Sequence, residues 1–122
     1  MRLIAGTELD ALDAAQRSLR HADEITEGLL AEPVRLVTLA QEAVDEDAEE
    51  TYEDGLRRAL SLVDDARSET IEWLDFAATM HVVGRWRTSN DTYEAVTGAC
   101  RSAVGNLDDW HDWADAELRD LD

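Results

Sequence analysis

Apolar residues along this chain recur at three- and four-residue intervals almost from end to end, the spacing of one face of an α-helix. Leu9, Leu12, Leu19, Ala22, Ile25 and Leu29 share one such face. With Thr7 as an N-cap and Glu8 and Asp10 favourably placed in the first turn, they predict a helix over residues 7–31. Pro33 suits the first turn of a second helix, where its missing N–H is harmless, and Leu36, Leu39, Ala40, Ala43, Val44 and Ala48 follow it. Between Pro33 and Val83 the one strong break signal is Asp54-Gly55. The stripes Leu56, Ala59, Leu60, Val63 and Ile71, Leu74, Phe76, Ala77, Met80, Val83 then predict three helices over 34–52, 55–66 and 68–87; the alternative is one long bent helix. Thr88-Ser89-Asn90-Asp91 reads as a loop ending in a cap, before a helix over 92–104. Gly105 and Asn106 punctuate the chain, and a last helix begins at Asp108 and Asp109, with Leu107, Trp110, Ala114, Leu118 and Leu121 on one side. Strand-like alternation, internal repeats and flexible linkers are missing, so the expected architecture is a single all-α domain over 1–122, a helical bundle of four or more helices.

Charge changes this picture. The chain has 122 residues, 29 of them acidic and 11 basic, every basic one an Arg, for a net charge of −18. Such an excess makes a compact chain repel itself, and the repulsion is far easier to bear when the Debye length shrinks from about 8 Å at physiological salt to about 3 Å at 1 M. With 16 Asp, 13 Glu and 18 Ala, the composition resembles that of cytoplasmic proteins of salt-in halophilic archaea. What the resemblance implies is a cytoplasmic, halophilic archaeal protein whose acidic runs are hydrated, screened surface. No apolar run approaches the length of a bilayer span, no basic-then-apolar leader opens the chain, and no basic amphipathic helix offers a membrane contact. Arg57-Arg58 and Arg85-x-Arg87 are too small a basic footprint for nucleic acid against this charge. Neither a membrane nor a nucleic-acid partner is therefore expected.

The acids are unevenly placed. Residues 41–75 hold thirteen acids and three Arg, whereas residues 76–106 hold two acids, Asp91 and Glu94, and three Arg, a net charge of +1. A stretch that escapes a chain-wide bias is covered by something: the protein's own core, or a subunit interface, where charge is depleted at the centre. Four Trp beside one Phe and two Tyr pose the same choice between core filling and anchoring a partner. Trp86, flanked by Arg85 and Arg87 and preceded by Met80 and Val83, is the first candidate anchor, and these five residues form the expected interface. The function that follows is a non-enzymatic interaction or assembly protein, a homo-oligomer or the docking partner of a larger complex. A regulator, a toxin–antitoxin-like partner and a virion connector of a haloarchaeal virus all fit that description. No cofactor is expected for it.

Catalytic chemistry has less to stand on. Cys100 sits among Ala99, Ser102 and Ala103, the setting of an inert buried thiol, and no nucleophile-elbow, phosphate-loop or zinc-peptidase motif occurs. Asp108 with His111, and His21 with Glu24, are carboxylate–imidazole pairs at one-turn spacing that could contribute to a metal site in a bundle. One acidic constellation goes further: Glu49-Glu50-Thr51-Tyr52-Glu53 reads E-E-x-x-E, Glu72-Trp73-Leu74-Asp75 reads E-x-x-D, and Gln41-Glu42-Ala43-Val44-Asp45 is a degenerate copy of the first half. Over residues 36–83 this resembles the signature of the MazG-like all-α nucleoside triphosphate pyrophosphohydrolases. The resemblance implies an alternative, Mg²⁺-dependent reading, in which Glu49, Glu50, Glu53, Glu72 and Asp75 on two neighbouring helices hold the metal that clamps a triphosphate. Carboxylates one turn apart supply the hard oxygen ligands Mg²⁺ prefers. The sequence departs from the family where Asp45, Glu46 and Asp47 replace the apolar residues expected around the first half, and basic contacts after the second half are limited to Arg85 and Arg87.

Overall fold

The computed structural model describes residues 6–44 and 51–121, with side chains from residue 10 onward. It contains four helices: α1 (Gly6–Ile25), α2 (Ala31–Ala43), α3 (Tyr52–Val82) and α4 (Asn90–Leu121), and no strand among the described residues. They form an all-α four-helix bundle in which α1 packs on α2 and α4, and α3 on α2 and α4. The expected fold class is therefore the observed one.

The core explains why each segment is helical. Leu12, Ala15, Leu19 and Ala22 of α1, Leu56, Ala59, Val63 and Ala66 of α3, and Val96, Cys100, Ala103, Leu107, Trp110, Ala114 and Leu118 of α4 are buried at alternating steps of three and four residues. That repeat is close to 3.5, the seam of helices crossing at a shallow angle. Leu30, Leu36, Val37, Ala40 and Ala43 complete the core from the α2 side. Small Ala residues at many of these positions let the helices approach closely, and Trp110, fully buried, supplies volume against α1.

The structure corrects several element boundaries. The helix expected over 7–31 ends at Ile25. Thr26 turns its hydroxyl back onto the Ala22 carbonyl (2.8 Å), Glu27 enters the left-handed region (φ 58°), and the Gly28 N–H closes onto the Asp23 carbonyl (3.0 Å). The Asp23 carboxylate then accepts the Leu30 N–H (2.7 Å), fixing the entry to α2. As a result Leu30 is buried and Leu29, expected on the apolar face of the first helix, is 63% exposed. Pro33 lies in the first turn of α2, as expected, but α2 ends at Ala43 rather than running to residue 52.

The helices expected over 55–66 and 68–87 are one element, the 31-residue α3. Asp54-Gly55 falls inside its first turn, where Thr51 caps the helix by accepting the Asp54 N–H (3.2 Å). Gly55 is there because α2 comes too close for a side chain: a Cβ would lie 2.4 Å from the Ala43 carbonyl oxygen. The last two expected helices are likewise continuous as α4, starting at Asn90 with Ser89 accepting the Thr92 N–H (3.1 Å). Gly105 and Asn106 do not break it, because buried Ala103 and Leu107 hold the same core stripe on either side.

The lengths are unequal, and that positions the site. At 1.5 Å per residue α3 extends over about 46 Å and the 13-residue α2 over about 20 Å. The two are antiparallel: Ala43 meets Gly55, while Glu32 and Arg35 of the first α2 turns lie in the field of Glu69. Beyond Glu69, residues 70–82 of α3 extend past the end of α2.

Candidate interaction surface at the α3–α4 hairpin

The hairpin that joins the two long helices is built to be rigid. At the end of α3 the Arg85 N–H bonds the Met80 carbonyl (2.8 Å) and the Gly84 N–H bonds the His81 carbonyl (3.2 Å), with Gly84 in the left-handed region at φ 72°. This is a Schellman stop, which needs a residue free of a Cβ penalty at Gly84. It sends the chain back so that Trp86 folds over the hairpin. The Trp86 ring meets Trp73 edge-on at 6.3 Å and Tyr93 edge-on at 5.3 Å, and His81 stacks on Tyr93 at 4.1 Å. His81 Nε2 also hydrogen-bonds Asn90 Oδ1 (2.7 Å) across the turn. Edge-to-face pairs of this kind contribute about 0.5–1.5 kcal/mol each beyond their buried area. Trp86 is thus half-buried and fastens α3 to α4 from inside the chain.

The other expected interface residues gather at the same end. Val83, Arg85 and Arg87 are exposed and Met80 is half-buried. The molecule leaves apolar side chains of this segment uncovered: Phe76 (53% exposed) and Val83 (57%) on one side of α3, and Ile71 (37%) and Val82 (83%) on another. Following the side of α3 that meets α2 at Gly55 upward at helical spacing passes Ala59, Ala66 and Glu69, then Trp73, Phe76, Met80 and Val83. The stripe that α2 covers lower down therefore continues as an apolar face above it. Phe76 was legible only indirectly: Ile71, Leu74, Phe76, Ala77, Met80 and Val83 span more of the helix circumference than a single core face needs. Tyr93 gave no signal of its own in the sequence, and Leu29 read there as a core residue.

The base of this face has the opposite character. Glu69 is held above the usual carboxylate range, first by partial burial and then by the negative charges of Glu32, Asp65 and Glu72, with Arg35 opposing. Arg35 is itself engaged with Glu32 one turn away. The surface thus runs from an acidic base through an apolar middle to an Arg-bearing tip.

Among the described residues the remaining candidates do not assemble. Glu49 and Glu50 lie outside the described residues. Glu53, Glu72 and Asp75, expected on two neighbouring helices, are all on α3, where 19 residues, about 28 Å, separate Glu53 from Glu72. They cannot share a cation, and Glu53 is paired with Arg57 (2.8 Å). Asp108 is bound to Arg67 across α3 and α4, while His111 stands 3.4 Å from Asp64 and 3.6 Å from Asp112. His21 is exposed on α1 beside Ala99. Among the described residues no three His, Cys, Asp or Glu side chains gather as metal ligands. Cys100 is fully buried in α4, and burial pushes its thiol up to about 12. Trp110 and Trp113 are core residues, their rings 5.9 Å apart, beside a groove of about 480 Å³ between α1 and α4 that Asp10, Ala14, Asn106 and Asp109 help to line. No described helix is long and apolar enough to cross a membrane. Set against known proteins, the chain matches no family model, no curated protein and no solved structure.

Proposed function

We propose that this chain is a small, acidic, salt-adapted interaction or assembly protein that works by contact through the outer face of its α3–α4 hairpin. The observation that carries this reading is that Phe76 and Val83, about one heptad apart on one side of α3 and both more than half exposed, fall in the one stretch of sequence that escapes the acidic bias. A contiguous exposed apolar patch ringed by polar residues is the usual mark of a contact surface. A rigid hairpin also presents it without the cost of ordering a loop on binding. Met80, Val83, Arg85 and Arg87 belong to the surface, and Trp86 supports it from beneath. An archaeal, high-salt cytoplasm and a regulatory or virion-building role are consistent with the composition.

Because Trp86 holds the hairpin together, replacing it would disturb fold and contact at once. Phe76 is the cleaner probe, since an exposed side chain can be changed without opening the core. Light scattering at molar salt should give the wild type a mass above the 13.6 kDa of one chain, and Phe76→Glu should return it to that value. An assembly whose mass ignores both Phe76→Glu and Val83→Glu would refute the proposal.

A further inference from the structure

The apolar face of α3 has a symmetry that the assembly reading does not require. Phe76 stands one heptad, about 10 Å, above Glu69 and the same distance below Val83. On one side of it lies the acidic base, Asp65, Glu69 and Glu72 with the Glu32–Arg35 pair from α2; on the other lies the tip, Val83, Arg85 and Arg87. A surface with acids on one side of an apolar centre and Arg on the other is complementary to itself when turned end for end.

Resting on the assembly reading above, we infer that the occupant of this face is a second copy of the same chain, packed antiparallel about a two-fold axis at Phe76. Each copy lays its Arg85 and Arg87 tip on the Glu69 and Glu72 base of the other. Above Glu69 the side of α3 that α2 covers lower down carries exposed Phe76 and Val83, so the partner's α3 takes up the line along which α2 stops. The exposed Leu29 lies in the turn just ahead of α2, at the end of the bundle where the partner's Val83 arrives. A second copy also solves the electrostatic problem of association at −18: the contact is made where the acidic coat is thinnest, and the one dense acidic cluster it touches is met by Arg.

Charge exchange tests the register. Arg85→Glu with Arg87→Glu, and separately Glu69→Arg with Glu72→Arg, should each be monomeric at the lowest salt that keeps the chain folded, with far-UV circular dichroism confirming an intact bundle. Mixed one to one, the two variants should form a heterodimer of twice the 13.6 kDa chain mass, because both tip-to-base contacts become opposite in sign again. A wild type that stays at one chain mass overturns the inference. So does a mixture that remains monomeric while the wild type loses its partner on Phe76→Glu; in that case the surface reading stands and the two-fold register falls. An assembly indifferent to Phe76 removes both.

Discussion

Cys100 shows how much one buried side chain can report. It faces the core at the centre of α4, and loss of solvation holds its thiol up to about 12, with Arg101 nearby opposing the shift. An unfolded chain ionises the same thiol near its ordinary value of 9.0, so above that pH the unfolded state has released a proton that the folded state retains. Stability therefore falls as pH rises from about 9 toward 12, by about 1.4 kcal/mol per pH unit for a single proton. Urea unfolding at pH 8 and pH 10.5 should show a steeper alkaline loss in the wild type than in Cys100→Ala, and a native thiol-blocking assay at pH 8 should leave Cys100 unlabelled until denaturant is added. The inertness of this thiol was legible from its small neighbours. The burial of Leu30 in place of Leu29 was not, because it hangs on Glu27 adopting a left-handed conformation that glycine usually supplies.

At the scale of elements, periodicity found the helical faces and misjudged where they stop. Gly55 and Gly105 looked alike in the sequence, as breakers, and neither breaks its helix. Their reasons differ. Gly55 is a close-approach site, where a Cβ would collide with the Ala43 carbonyl, while a Cβ on Gly105 would meet nothing within 4 Å. Gly55→Ala should push α2 off α3 and destabilise the bundle by about 1–3 kcal/mol. Gly105→Ala should stabilise it by about 0.5–1 kcal/mol, since Ala lowers the entropy of the unfolded chain and favours the helix. Denaturant midpoints with unchanged slopes would check both; the same sign for the two would show that the α2–α3 contact is not the constraint at Gly55. Local sequence could not separate them, because the carbonyl that distinguishes Gly55 comes from another helix. For the same reason the two halves of the acidic signature, Glu53 and Glu72 with Asp75, looked like facing helices and turned out to share one.

The whole molecule must fold against its own charge. Among the described residues Glu69 shows that opposition: burial and the negative charges of Glu32, Asp65 and Glu72 disfavour its ionised form in the fold, so its contribution to stability falls as pH climbs through the carboxylate range. Added salt relieves such repulsion by shortening the Debye length from about 8 Å at 0.15 M to about 3 Å at 1 M. The thermal midpoint of the wild type should therefore climb with potassium chloride across that interval, each kcal/mol gained moving it by about 4 °C for a chain of this size. Made in Phe76→Glu, where no partner's Arg faces it, Glu69→Gln should melt higher than its parent at low salt, and the gap should close at high salt. Phe76→Glu separates folding from association. If the acidic coat opposes folding, this variant's midpoint climbs with salt as the wild type's does. A climb confined to the wild type would mean that salt acts through the contact between copies, and a midpoint indifferent to salt in all three would show that the −18 charge is not what the fold works against.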